Sequence, residues 1–259
     1  MNEAPLVFIT GASSGIGLAL AGHYADAGWR LALSARRTAA IADWGRGRGL
    51  DPARVGIYGA DLAQVDSIVA AGADCMDRQG LPDVVIANAG ISVGVDTAVR
   101  ADLEVLRETF AINNVGLAAT FHPFLAGMRE RRSGTLVGIA SVAAIRGLPG
   151  HGAYCASKSA VVAYCESLRG ECRRDGLRVV TLLPGYVDTP LTAGNRYAMP
   201  FRLSAAEFAA RAFRAIEAGS SYRVIPWQMA IVAKLMRLLP DALYDRAAAG
   251  RGRKKRRGE

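Results

Sequence analysis

Long apolar runs are missing from this chain of 259 residues: no stretch approaches the roughly 18 consecutive apolar residues that a membrane-spanning helix needs. The start, Met1 to Thr10, has no cationic segment leading into a long apolar run, so no secretory signal is expected and the cytoplasm is the expected compartment. Histidine is scarce, with only His23, His122 and His151, and the four cysteines (Cys75, Cys155, Cys165, Cys172) form no CxxC pair and no cluster with histidine. That pattern excludes the usual zinc-binding spacings and points to reduced thiols with no metal. Repeats and proline-rich linkers are also lacking, so residues 1–250 read as one domain.

What the chain does have is enough apolar material for a large core, with 51% hydrophobic and 21% charged residues. Its net charge of +9 resembles a nucleic-acid signal until it is located. The tail Arg251 to Glu259 holds six basic residues and one acid, which accounts for +5 of the +9. Residues 251–259 therefore read as a solvated, disordered basic end, and no nucleic acid is expected as a partner.

Short aliphatic runs alternate with longer amphipathic stretches. The strand candidates are Leu6 to Thr10, Arg30 to Ala35, Val55 to Tyr58, Asp83 to Ala87, Thr135 to Ala140, Arg178 to Leu183 and Arg223 to Pro226. Helical patterns occupy 15–27, 38–46, 64–79, 102–131, 152–175 and 204–218. Strands separated by helices imply crossovers, and hence an α/β fold: a seven-stranded, mostly parallel, doubly wound sheet of Rossmann type with helices on both faces. The segment 185–203 follows a strand without a clear pattern of its own and reads as a lid over an active site. The apolar segment 227–247 reads as a helix packing on the body or on a second subunit, with a membrane-surface helix as the weaker alternative.

The first strand runs into Thr10-Gly11-Ala12-Ser13-Ser14-Gly15-Ile16-Gly17 and then a helix. Glycines there let the backbone turn sharply and approach a pyrophosphate, while the helix start offers free N–H groups and its positive dipole end. The second strand ends at Ala35-Arg36-Arg37, where an acidic side chain would bind the ribose 2′-hydroxyl of NAD. Ala35 holds the acidic position. Arg36 and Arg37 can instead grip a 2′-phosphate, which favours NADP(H), unless they are only solvated surface charge.

Tyr154 and Lys158 stand four residues apart at the start of a helical pattern, so both side chains rise on one face. An ammonium beside a phenol favours the phenolate and suits the pair to acid–base work. With the glycine spacing TGxxxGxG, the chain resembles the short-chain dehydrogenase/reductase family over roughly residues 5–226. Further markers follow in order: Asp61-Leu62, Asn88-Ala89-Gly90, Asn113 three residues before Gly116, Ser141 thirteen residues before Tyr154, and Pro184-Gly185-Tyr186-Val187-Asp188-Thr189. Ala87 and Ala140 depart from the family's usual Asn and Ser.

The resemblance implies an oxidoreductase that moves a hydride between NADP(H) and a carbonyl or secondary alcohol. Tyr154 would give the proton, Ser141 would orient the substrate oxygen, Lys158 would hold the nicotinamide ribose, and Asn113 would help anchor a relay water. The cofactor would lie along Gly11, Ser13, Ser14, Gly15, Ile16 and Gly17, with Asp61 and Leu62 at the adenine. Beyond these, Asn88, Ala89, Gly90, Pro184, Gly185, Val187 (carboxamide) and Thr189 (phosphates) would complete its site. A homodimer or homotetramer is a family expectation. Taken singly, Ser141 could be a loop cap, Tyr154 a half-buried aromatic and Asn113 a backbone-bonded side chain; a non-catalytic NADP(H) sensor is the alternative function. Cys155, with no histidine near it, is not expected to be a nucleophile. Substrate choice is expected to depend on the loop 188–203 and on residues near 143–151; Leu191, Tyr197, Met199 and Phe201 suit an apolar substrate or a lid packed on the body.

Overall fold

The computed structural model describes residues 4–195, 197–250 and 252–259. Its centre is a parallel sheet of β1 (Leu6–Thr10), β2 (Arg30–Ala35), β3 (Val55–Gly59), β4 (Val84–Ala87), β5 (Thr135–Ile139), β6 (Arg178–Pro184) and β9 (Tyr222–Ile225), in the order β3-β2-β1-β4-β5-β6-β9. Two short strands, β7 (Val187–Asp188) and β8 (Leu203–Ser204), pair with each other outside it. The helices are α1 (Gly15–Asp26), α2 (Thr38–Gly47), α3 (Val65–Gln79), α4 (Asp102–Phe110), α5 (Gly116–Arg131), α6 (Gly152–Cys172), α7 (Ala205–Glu217), α8 (Trp227–Leu238) and α9 (Asp241–Ala249).

Burial on both faces is written in β1, where all five residues are buried. Leu6 and Phe8 join one core with Ile68 of α3, Phe124 of α5 and Val161 of α6, whereas Val7 and Ile9 join the other with Leu20 of α1 and Phe208 of α7. Alternate side chains of a strand point to opposite faces, so a continuous aliphatic run requires two cores. The chain order of the strands reverses between β1 and β4, which opens a crevice at their carboxyl ends, the usual ligand position in such sheets.

Three details depart from the sequence reading. The pattern 102–131 is interrupted by a wide π turn at Ala111–Val115. Close contact accompanies it: a Cβ at Gly116 would stand 2.6 Å from the Leu62 carbonyl oxygen. The segment 227–247 is two helices, with Pro240 between α8 and α9. It packs on the body through Met229, Ala233 and Tyr244 but leaves Trp227, Ile231, Leu235, Leu238 and Leu243 exposed.

The third departure is the basic tail, read as a solvated end. From Gly252 onward it runs back across the body, with the Gly94 amide donating to the Lys255 carbonyl at 2.9 Å. Its cations find partners there: Arg253 meets Asp96 at 3.5 Å, Arg256 meets Asp102 at 3.6 Å, and Arg257 pairs with Glu108. Carboxylates contributed by remote segments hold it, and no local pattern advertises them. Arg251 lies outside the described residues. Among the described residues no helix is long and apolar enough to cross a membrane.

Candidate active site

The loop after β1 is shaped by contacts that only glycine permits. Gly11 has φ +67°, and a Cβ there would lie 2.8 Å from the Ala89 Cα. At Gly17 a Cβ would lie 2.4 Å from the Gly11 carbonyl oxygen and 2.6 Å from Asn88 Nδ2. Gly17 does not itself line the crevice; it lets α1 start close against the loop. Asn88 ties the loop to β4: its Nδ2 donates to the Thr10 carbonyl at 2.9 Å, and its backbone N–H donates to the Thr10 hydroxyl at 3.1 Å. Ala87, where the family has Asn, is a buried strand residue opposite Gly138.

A crevice of about 660 Å³ opens above these strand ends, within the range of small-molecule sites. Every other residue assigned to the cofactor lines it: Gly11 and Ser13 to Ile16, Arg36 and Arg37, Asp61 and Leu62, Asn88 to Gly90, Tyr154 and Lys158, Pro184 and Gly185, Val187 and Thr189. At one rim Arg37 Nη2 donates to Ser14 Oγ at 3.2 Å and lies 3.4 Å from Ser13 Oγ. The Arg37 guanidinium and two hydroxyls thus meet beside Ala35, which brings no carboxylate, and Arg36 lines the same rim.

Ser141, Tyr154 and Lys158 come together at the opposite end. Ser141 follows β5, is nearly buried, and accepts a hydrogen bond from the Ala143 N–H at 3.1 Å, so it caps a turn and lines the crevice as well. Lys158 is 4% exposed, and its ammonium donates to the Ile139 carbonyl at 2.7 Å. Nζ stands 5.9 Å from the Tyr154 ring centre.

Burial lowers the Lys158 pKa to about 8. Burial also raises the Tyr154 phenol above its ordinary value, and the Ser141 hydroxyl opposes that shift by hydrogen bonding. The sequence reading has Lys158 pull the phenol toward phenolate; in the folded chain burial is the largest influence on Tyr154 and acts the other way. The thiol of Cys155 is buried and its pKa is raised by that burial, so the structure gives it no activated thiolate.

Asn113 sits in the π turn, 1% exposed, and does not line the crevice. Its Oδ1 accepts from the Ile91 N–H at 2.8 Å, while Nδ2 donates to the Ile91 carbonyl at 3.0 Å and to Ser157 Oγ at 2.9 Å. The side chain therefore fastens the loop after β4 to α6. A Cβ at Gly90 would stand 3.1 Å from Asn113 Oδ1 and 3.4 Å from Lys158 Nζ, so Gly90 keeps open the space between them.

A second, smaller cavity of about 100 Å³ adjoins the first and shares Ser141, Tyr154, Gly185, Leu191 and Thr192 with it. Its walls are largely apolar, from Val142 and Leu148, from Tyr186, Leu191 and Tyr197 of the lid region, and from Met229, Val232 and Met236 of α8. Of the four lid residues read as substrate-facing, Leu191 and Tyr197 reach it, whereas Met199 and Phe201 do not. Arg146 and His151 come from the 143–151 segment that the sequence reading ties to substrate choice, whereas Ser92 and Lys254 were missed as lining residues. Ser92 and Lys254 come from segments remote in the chain, and of these two only Lys254 belongs to a feature the sequence marks, the basic tail. Among the described residues no cluster could hold a metal ion.

Residues 5–199 match the family model for short chain dehydrogenases. An uncharacterized oxidoreductase of Myxococcus xanthus is 37% identical over 245 residues, covering 93% of this chain and 94% of its own. Among solved structures, a short-chain dehydrogenase from Streptomyces avermitilis superposes with a TM-score of 0.81 at 27% identity, over 90% of this chain and 92% of its own. An alcohol dehydrogenase from Thermococcus sibiricus, complexed with 5-hydroxy-NADP, superposes with a TM-score of 0.74 at 27% identity, over 86% of this chain and 96% of its own. With its glycine loop, its Ser141–Tyr154–Lys158 end and its sheet order all in place, this chain belongs to the short-chain dehydrogenase/reductase family of oxidoreductases.

Proposed function

We propose that the protein catalyses reversible hydride transfer between NADP(H) and a carbonyl or secondary alcohol, with Tyr154 as the general acid and base. One observation carries the reading: Ser141 and Tyr154 form part of the wall of both cavities, so a proton donor and an orienting hydroxyl stand where a dinucleotide crevice meets an apolar pocket. A non-catalytic nucleotide sensor would have no use for a proton donor at that seam.

The residues present suit a phosphorylated dinucleotide. The Gly11–Gly17 loop allows close approach of a pyrophosphate to the start of α1. Arg36 and Arg37, with Ser13 and Ser14, supply forked cations and hydroxyls for a 2′-phosphate at the rim where Ala35 leaves no acid to repel it. The Thermococcus sibiricus relative, solved with an NADP derivative, supports the same preference. When bound, the reduced nicotinamide supplies the hydride.

The chain's own groups do the rest. The Ser141 oxygen is held by the Ala143 N–H, and its O–H would donate to the substrate oxygen and orient the carbonyl. Because burial keeps Tyr154 protonated at neutral pH, its phenol is ready to donate to that oxygen as negative charge develops. The buried Lys158 ammonium stabilises the phenolate left behind, and the apolar walls of the second cavity exclude water. Alcohol oxidation runs the same steps backward.

The test is NADPH consumption against a panel of ketones and aldehydes, by the wild type and by Tyr154→Phe. The expected result is turnover that falls at least about a hundredfold in the variant while NADPH still binds. Undiminished turnover in Tyr154→Phe would overturn the assignment.

A further inference from the structure

The returning tail puts one cation into the apolar pocket. Lys254 is half-buried, whereas its neighbours Arg253 and Lys255 are exposed, and it lines the same small cavity as Ser141 and Tyr154. Its Nζ donates to the Leu191 carbonyl at 2.9 Å and to Asn195 Oδ1 at 2.8 Å, both on the lid. Arg253, Arg256 and Arg257 of the same tail each have a carboxylate partner, but Lys254 has none among the described residues.

The residues lining this cavity include no Asp or Glu. Its other permanent cation, Arg146, is committed: it donates to the Met236 and Leu239 carbonyls, pairs with Asp241, and lies over the Tyr244 ring. A lysine ammonium has three N–H donors, and two of them are used here on neutral oxygens. The pocket therefore contains one desolvated positive charge with a donor to spare and no counter-charge.

We propose that Lys254 is an anion-recognition residue in the substrate pocket, and that the preferred substrate is an apolar carbonyl compound bearing a carboxylate. The inference rests on the hydride-transfer reading above and names the substrate class for it. A single ammonium with one remaining donor matches a monoanion; a phosphate dianion would call for a second uncommitted cation, and Arg146 is not one. Burial already lowers the Lys254 pKa, the penalty expected of an ammonium taken from water without an anion beside it. A carboxylate at that point would relieve the penalty and add a charge-assisted hydrogen bond. Because Lys254 is held by Leu191 and Asn195, the same contact lets the tail fix the lid over the substrate.

The probes are oxo acids of increasing length, from 4-oxopentanoate to 9-oxodecanoate, and 4-oxo-4-phenylbutanoate, each beside its methyl ester, which keeps the carbonyl and removes the charge. In the wild type the best acid is expected to exceed its ester in kcat/KM by roughly tenfold to a hundredfold, the span of a hydrogen bond to a charged group. That ratio should collapse in Lys254→Met, which keeps the chain length, and survive in Lys254→Arg, which keeps the charge. Equal use of acids and esters by the wild type, or a ratio unmoved by Lys254→Met, would overturn the proposal.

Binding of the same pairs to the NADP⁺-saturated protein, by calorimetry, is read independently of turnover. An acid preference in binding that disappears in Lys254→Met sustains the anion site even where no NADPH is consumed, in which case only the hydride-transfer reading fails. Equal binding of acid and ester to the wild type removes the anion site and leaves that reading untouched.

Discussion

Lys158 is fastened to the end of β5: its buried ammonium donates to the Ile139 carbonyl at 2.7 Å, two residues before Ser141. That bond sets α6 against the strand that leads into Ser141, and it holds a positive charge away from water. The position benefits the chemistry and costs the fold.

The cost can be read as a pH dependence. The Lys158 pKa in the folded chain is about 8 against an ordinary 10.5, so between these values the unfolded chain binds the extra proton and stability rises with pH. Below about pH 8 the penalty is present in full, on the order of 3 kcal/mol for so buried a group. Lys158→Met lacks it. Urea unfolding at pH 7 and pH 10 should show the variant gaining on the wild type at pH 7 and losing that advantage at pH 10. A stability difference that ignores pH would mean that the ammonium bears no burial penalty.

Catalysis should move with pH in the opposite direction. In the proposed mechanism, carbonyl reduction needs the Tyr154 phenol protonated and the Lys158 ammonium charged. Burial keeps the phenol protonated well above neutrality, so the lysine, at about 8, is the first of the two to lose its proton. The kcat/KM for reduction should be flat from pH 6 to 7.5 and fall above about 8, as the charge that stabilises the phenolate is lost. A reduction rate that climbs through pH 8 is incompatible with these roles.

The proposed preference for NADP(H) rests on a small cluster. Arg37 already touches the Ser13 and Ser14 hydroxyls, and Arg36 lines the same rim. The double variant Arg36→Ala/Arg37→Ala should lose about tenfold to a hundredfold or more in NADPH affinity, since each hydrogen bond to a charged group contributes about 1.5–3 kcal/mol. NADH affinity should hardly change. Fluorescence titration with both cofactors checks it, and a wild type that binds NADH as well as NADPH would remove the premise.

The sheet was legible because each strand is a short run buried on both faces between helical stretches, and the dinucleotide end because its residues lie in contiguous motifs such as Thr10 to Gly17 and Asn88 to Gly90. Tyr154 and Lys158 share a helix, and one turn of it fixes their relation. The second cavity is different: Ser92, Arg146 with His151, Tyr197, Met229 and Lys254 meet there from five separate stretches, and no spacing links them. The tail was misjudged for the same reason, since Asp96, Asp102 and Glu108, which hold its arginines, lie more than a hundred residues upstream. The effect of burial on Tyr154 depends on surroundings that a helical wheel does not contain.

Gly17 tests whether the loop's shape, rather than its contacts with ligand, carries cofactor binding, because it does not line the crevice. A methyl group there would meet the Gly11 carbonyl oxygen at 2.4 Å and Asn88 Nδ2 at 2.6 Å. Both are fixed, the first by the turn and the second by its bond to the Thr10 carbonyl. Neither can yield without pushing α1 off the loop. Gly17→Ala should therefore cost about 1–3 kcal/mol of stability, as overpacking does. It should also weaken NADPH binding at least tenfold by displacing the N–H groups at the start of α1. Gly47→Ala is the control: that glycine ends α2, and a Cβ there would meet nothing within 4 Å. If Gly17→Ala binds NADPH as Gly47→Ala does, close packing of α1 on the loop is not what shapes the site.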